Sequence, residues 1–180
     1  VVASVTAMTQ DFAPDLRDHD DELAPEVFVI AHDDYHASHV GLTADGQQFF
    51  ITTPFAWAST EGGSQEFAAR YLFTPDGALA EAEILPLGPR PGLGALPGNV
   101  ESFADQSLAI EHLLAQISPV VYGDITIKPF SVMAHGLEFG MVLNGPVPED
   151  PDEEWYWYVN LEPGDFMAFS APWDSGDYET

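Results

Sequence analysis

The run HVGLTADGQQFF, from His39 to Phe50, carries the reading on which the fold depends. Two β-rich segments flank Thr43-Ala44-Asp45-Gly46. An Asp-Gly pair in that setting signals a hairpin, because glycine enters the left-handed backbone region without a steric cost. Strands joined by so short a turn must run antiparallel. The arrangement returns downstream, where EFAARYLF (66–73) and ALAEAEIL (78–85) flank Thr74-Pro75-Asp76-Gly77. Together with EVFVIAH (26–32) and the continuation FITTPF (50–55), these segments predict an antiparallel meander through the first half of the chain.

Outward from the meander, PLGPRPGLGALPGN fills positions 86–99. Its prolines and glycines oppose regular structure, so residues 86–100 are expected to be a connector. ESFADQSLAIEHLLAQIS (101–118) then reads as a helix: Ser102 and Asp105 suit a capping box, Ile110, Leu113, Leu114 and Ile117 form an i, i+3, i+4, i+7 stripe, and Pro119 follows the end. That stripe should face the sheet. Further strands are expected within VVYGDITIKPFSVMAHG (120–136), LEFGMVLNG (137–145), WYWYVNL (155–161) and FMAFS (166–170). The fold class is therefore α+β, an antiparallel, strongly curved β-sheet packed by one main α-helix. Length predicts a single domain over residues 1–180, with residues 1–25 as an acidic lead-in, and no internal repeat is present.

Charge narrows the function classes. Thirty Asp and Glu against four Lys and Arg give a net charge of -26. Arg17, Arg70, Arg90 and Lys128 are too few to neutralise a nucleic-acid backbone, and an anionic membrane surface is an equally poor partner. Solubility or adaptation to salt, long-range attraction of a basic protein, and cation binding by clustered acids all account for such acidity. With 0 cysteines, thiolate metal sites and cysteine nucleophiles are excluded. No apolar run approaches a membrane span, and a cytoplasmic location is expected; the chain begins on Val1, which leaves open a preceding segment such as a targeting sequence.

Motifs for catalysis are weak. No GxSxG elbow occurs, and the glycine-rich connector lacks the GK[ST] ending of a phosphate loop, so no catalytic residue and no cofactor is expected. The histidine-bearing segment AHDDYHASHVG supplies His32, His36 and His39 as candidate metal ligands, although strands joined by a turn would scatter the rings. Aromatic residues beside acids suggest a protein-binding surface instead. Trp155, Tyr156 and Tyr158 adjoin Asp152, Glu153 and Glu154, and aromatic anchors ringed by charge are the usual composition of interface hot spots. The closing APWDSGDYET is expected to dock, with Trp173 and Tyr178 buried.

Three segments also resemble a known family. VYGDITIKPFSVMAHGLEFGMVL, HVGLTADGQQFF and APWDSGDYET are similar to segments of the HycA-like formate hydrogenlyase regulatory proteins. The matching positions include His39, Gly41, Gly46, Phe49 and Phe50, then Tyr122 to Ile125, Pro129 and Phe130, then Gly136, Phe139 and Gly140, and finally Pro172, Trp173, Asp174, Tyr178 and Thr180. The resemblance implies a regulator that antagonises a transcriptional activator by contact with protein, without a cofactor. Charge and resemblance together lead to a non-catalytic acidic module that binds a basic partner, as a regulator or a toxin's immunity protein. The alternative is a metal-dependent enzyme centred on His32, His36 and His39.

Overall fold

The computed structural model describes residues 24–33, 37–56, 65–89, 100–145, 157–164 and 166–170. Within them lie twelve strands and one helix: β1 (Phe28–Ile30), β2 (Val40–Thr43), β3 (Gln48–Thr52), β4 (Phe55–Ala56), β5 (Gln65–Phe73), β6 (Leu79–Pro89), α1 (Val100–Ile117), β7 (Val120–Tyr122), β8 (Ile125–Ile127), β9 (Phe130–Ala134), β10 (Leu137–Asn144), β11 (Tyr158–Glu162) and β12 (Phe166–Ser170). All the strand pairings are antiparallel, so the α+β class holds.

Both Asp-Gly hairpins form where the sequence puts them. β2 pairs β3 around Gly46, and β5 pairs β6 around Gly77. In each turn the leading threonine does the same work: its hydroxyl accepts from the N–H four residues on, Gln47 or Ala78, and also contacts the Asp two residues on. The order in the six-stranded sheet is β4-β5-β3-β2-β7, with β6 on the other side of β5. β3 and β5 are thus interior strands, which is why their apolar content is nearly continuous rather than alternating.

The two faces of this sheet hold different cores. Phe49 and Ile51 of β3 and Ala68 and Leu72 of β5 meet Leu113 of the helix, with Ile110, Leu114 and Ile117 around it, so the helical stripe packs as its spacing predicts. The alternate residues Phe50, Phe67, Ala69, Tyr71 and Phe73 face a four-stranded sheet of order β12-β11-β10-β9. Aromatic pairs close this inter-sheet layer: Phe67 meets Phe139 edge-on at 4.9 Å, and Phe130 lies 4.8 Å from Tyr71 and 5.1 Å from Phe73. His135, at the β9–β10 turn, adds a polar clip through a 3.1 Å hydrogen bond between Nε2 and the Ile84 carbonyl.

Three expectations are corrected. In place of one strongly curved sheet, the described strands form sheets of six, four and two strands. β1 is no part of the first-half meander. It pairs β8 instead, Phe28 opposite Ile127 and Ile30 opposite Ile125, which buries all four side chains. The connector does not begin at residue 86, because β6 continues through Pro86 to Pro89. Proline is tolerated there since β6 pairs only β5 among the described strands, so its outer edge has no ladder bond to lose.

Candidate functional site

The acidic, aromatic site expected from sequence falls largely outside the described residues: Asp152, Glu153, Glu154, Trp155 and Tyr156 all do. Tyr158 is described and stands half-buried at the start of β11. It lies directly opposite Asn144 of β10, and Ser170 of β12 is its partner on the other side. Asn144 and Tyr158 are thus neighbours across the ladder of the four-stranded sheet. The strand expected from Trp155 begins at Tyr158, with Trp157 half-buried just before it. The docked reading of Ala171 to Thr180 also lies outside the described residues.

His32 and His39 converge, but on a tyrosine. The His32 ring stacks on Tyr122 with centroids 5.7 Å apart, and His39 approaches the same ring edge-on at 6.4 Å. Phe49 meets it from the sheet at 6.1 Å. Asp124 fixes the approach of the histidine strand by accepting the His32 N–H at 2.9 Å, and Ser38 Oγ lies 2.9 Å from His39 Nδ1. Partial burial, aided by the proximity of His32, pulls His39 below the ordinary histidine pKa, which favours the neutral imidazole. His36, the third candidate ligand, is outside the described residues. No three His, Cys, Asp or Glu among the described residues are grouped so as to hold a metal ion.

Sequence reasoning did not single out the strip that this cluster borders. Tyr122 is 47% exposed, Val121 is 71% exposed, and Leu42, directly opposite Val121, is 43% exposed. The available signal was a brief one: VVY between Pro119 and the Gly123-Asp124 pair is too short to be an interior strand, and short strands belong at edges.

A polar cavity of 430 Å³ opens on the helix side, lined by Thr43, Asp45, Arg70, Glu81, Gln116 and Ser118 among others. Arg70 is 4% exposed, yet its fork is already committed. Its terminal nitrogens donate to Gln116 Oε1 at 2.6 Å and to Glu81, with Glu83 at 3.2 Å. The guanidinium thus ties β5, β6 and the helix together. A carboxylate or phosphate entering the cavity would have to displace Glu81 against a strongly acidic background. Nε of Arg70 is buried, with no hydrogen-bond partner among the described residues.

Comparisons with protein-family models, with curated proteins and with solved structures return no match. Among the described residues, no helix is long and apolar enough to cross a membrane.

Proposed function

We propose that this chain is a non-catalytic, acidic protein-binding module that holds down a basic protein, in the manner of a regulator or an immunity protein. The observation that carries the reading is the net charge of -26 against only four cations. Two of those cations are spent internally: Arg70 on Glu81, Glu83 and Gln116, and Lys128 on Asp76 at 2.7 Å. The field around the molecule is consequently of one sign, which raises the encounter rate with a basic surface and disfavours acidic competitors. The resemblance of three segments to the HycA-like regulators points the same way. Trp155, Tyr156 and Tyr158, with Asp152, Glu153 and Glu154, are the proposed contact residues, and the cytoplasm is the proposed compartment.

Native mass spectrometry of the protein isolated from its own cells at low salt tests the class, and a titration then tests the site. A basic protein held at fixed stoichiometry is the expected result, with affinity falling as salt rises. Replacing Trp155 and Tyr156 together by Ala should weaken its binding roughly 30-fold or more, as loss of hot-spot residues does. Full affinity in the double variant would remove the proposed contact residues. A bare chain carrying a fixed metal mass would instead favour the metal-dependent enzyme centred on His32, His36 and His39.

A further inference from the structure

We infer that the outer edge of β7 is a docking edge for an extended, cationic segment of the basic partner, which would add to the six-stranded sheet as a further strand. This inference rests on the proposed function and gives it a second contact surface. The hydrogen-bond parity of the ladder shows what the edge offers. Gly123 N–H donates to the Val40 carbonyl at 3.2 Å, while on the β3 side of the β2 chain the Thr43 N–H donates to the Gln47 carbonyl and the His39 carbonyl accepts the Ile51 N–H. Antiparallel pairs alternate between bonded and non-bonded, so the Leu42–Val121 pair is bonded and the pairs at Val120 and Tyr122 are not. The N–H and C=O groups of Val120 and Tyr122 are accordingly directed away from β2. β2 is the one strand paired with β7 among the described residues.

Side chains complete the surface. Val121 and Leu42 form an exposed aliphatic step on one face of the edge, and the half-exposed Tyr122 ring, backed by His32 and His39, stands on the other. A strand bound here alternates its own side chains between the two, placing aliphatic groups on Val121 and Leu42 and Lys or Arg over the tyrosine face. Asp124 flanks the Tyr122 end, and Asp45, in the turn after Thr43, flanks the Val120 end. Neither β2 nor β7 contains a Lys or Arg. A second copy of this chain would bring another charge of -26 to the same edge, so charge complementarity selects a cationic strand.

The test uses a capped peptide of alternating lysine and valine, a glutamate-valine counterpart, and a lysine-valine peptide interrupted by proline. Binding is read by fluorescence anisotropy at low salt, and amide exchange is followed by NMR. The lysine-valine peptide should bind and slow exchange at the amides of Val120 and Tyr122, and the other two peptides should bind at least about tenfold more weakly. Val121→Lys should weaken binding about tenfold, Val121→Thr should weaken it less, and Met133→Lys, an equal charge change at an exposed position of β9, should weaken it least. Equal binding to all three variants without protection at Val120 and Tyr122 would overturn the edge and leave the basic-partner reading standing. Failure of both cationic peptides to bind would remove the electrostatic attraction on which both readings rest.

Discussion

Gly41 decides whether β7 can join the sheet at all. A Cβ at this position would stand 2.1 Å from the Val121 carbonyl oxygen and 2.8 Å from the Tyr122 Cα, both backbone atoms that cannot rotate aside. Gly123, just beyond β7, has nothing within 4 Å of the corresponding point. Gly41→Ala should therefore cost about 2 kcal/mol or more by urea unfolding, with loss of the Val120 to Tyr122 pairing, whereas Gly123→Ala should cost under about 1 kcal/mol. Equal costs would show that the close approach at Gly41 is not what sets the strand in place. Gln48 plays the complementary, attractive part: its amide donates to the Thr126 and Thr74 carbonyls at 2.8 and 3.2 Å and accepts the Thr126 N–H at 2.6 Å. One nearly buried polar side chain thereby binds β8 to the first hairpin and to the start of the second turn. Its position at the head of an apolar run gave no sign of that role, because its partners lie 26 and 78 residues away.

At the scale of elements, the second hairpin is anchored by its turn. Gly77 lies against β8 so closely that a Cβ would fall 2.7 Å from the Thr126 carbonyl oxygen, and the Lys128 N–H donates to the Gly77 carbonyl at 2.9 Å. Lys128 Nζ reaches Asp76, and this ammonium, with the Thr74 hydroxyl, lowers the Asp76 carboxyl from 3.8 to about 2. A carboxylate with a depressed folded pKa stabilises the fold above its unfolded pKa, and the contribution disappears as pH falls from about 4 through about 2. Asp76 should titrate by NMR with a midpoint near 2, and Lys128→Ala should move that midpoint back toward the ordinary carboxylate range. An unchanged midpoint in the variant would assign the shift to the turn alone. The hairpins were legible because their chemistry is local, a Thr-x-Asp-Gly turn between β-formers. The termination of β6 was not, since prolines that oppose an interior strand are harmless on an outer one.

At the scale of the molecule, the six-stranded sheet is a shared wall between two cores, the helix on one face and the four-stranded sheet on the other. Phe139 sits fully buried in the larger core, edge-on to Phe67 across the inter-sheet layer. Phe139→Ala should cost about 3–5 kcal/mol, and tertiary and secondary signals should fall in one transition, because both sheets depend on the same aromatic layer. Two separated transitions by near-UV and far-UV circular dichroism would show the sheets to be independent. The sequence by itself determined the composition of each layer: the antiparallel class, both Asp-Gly hairpins, the helix with its apolar stripe, and a strongly acidic net charge. Those properties depend on neighbours a few residues apart or on charge summed over the chain. Tertiary structure alone decided that β1 joins β8, that His32 and His39 meet on Tyr122, and that β7 is the last of the described strands on its side of the sheet, with Val121 and Tyr122 exposed. Each of these depends on which distant segments share a hydrogen-bonded edge, and that choice is made by burying the two faces of the sheet together, not by local propensity.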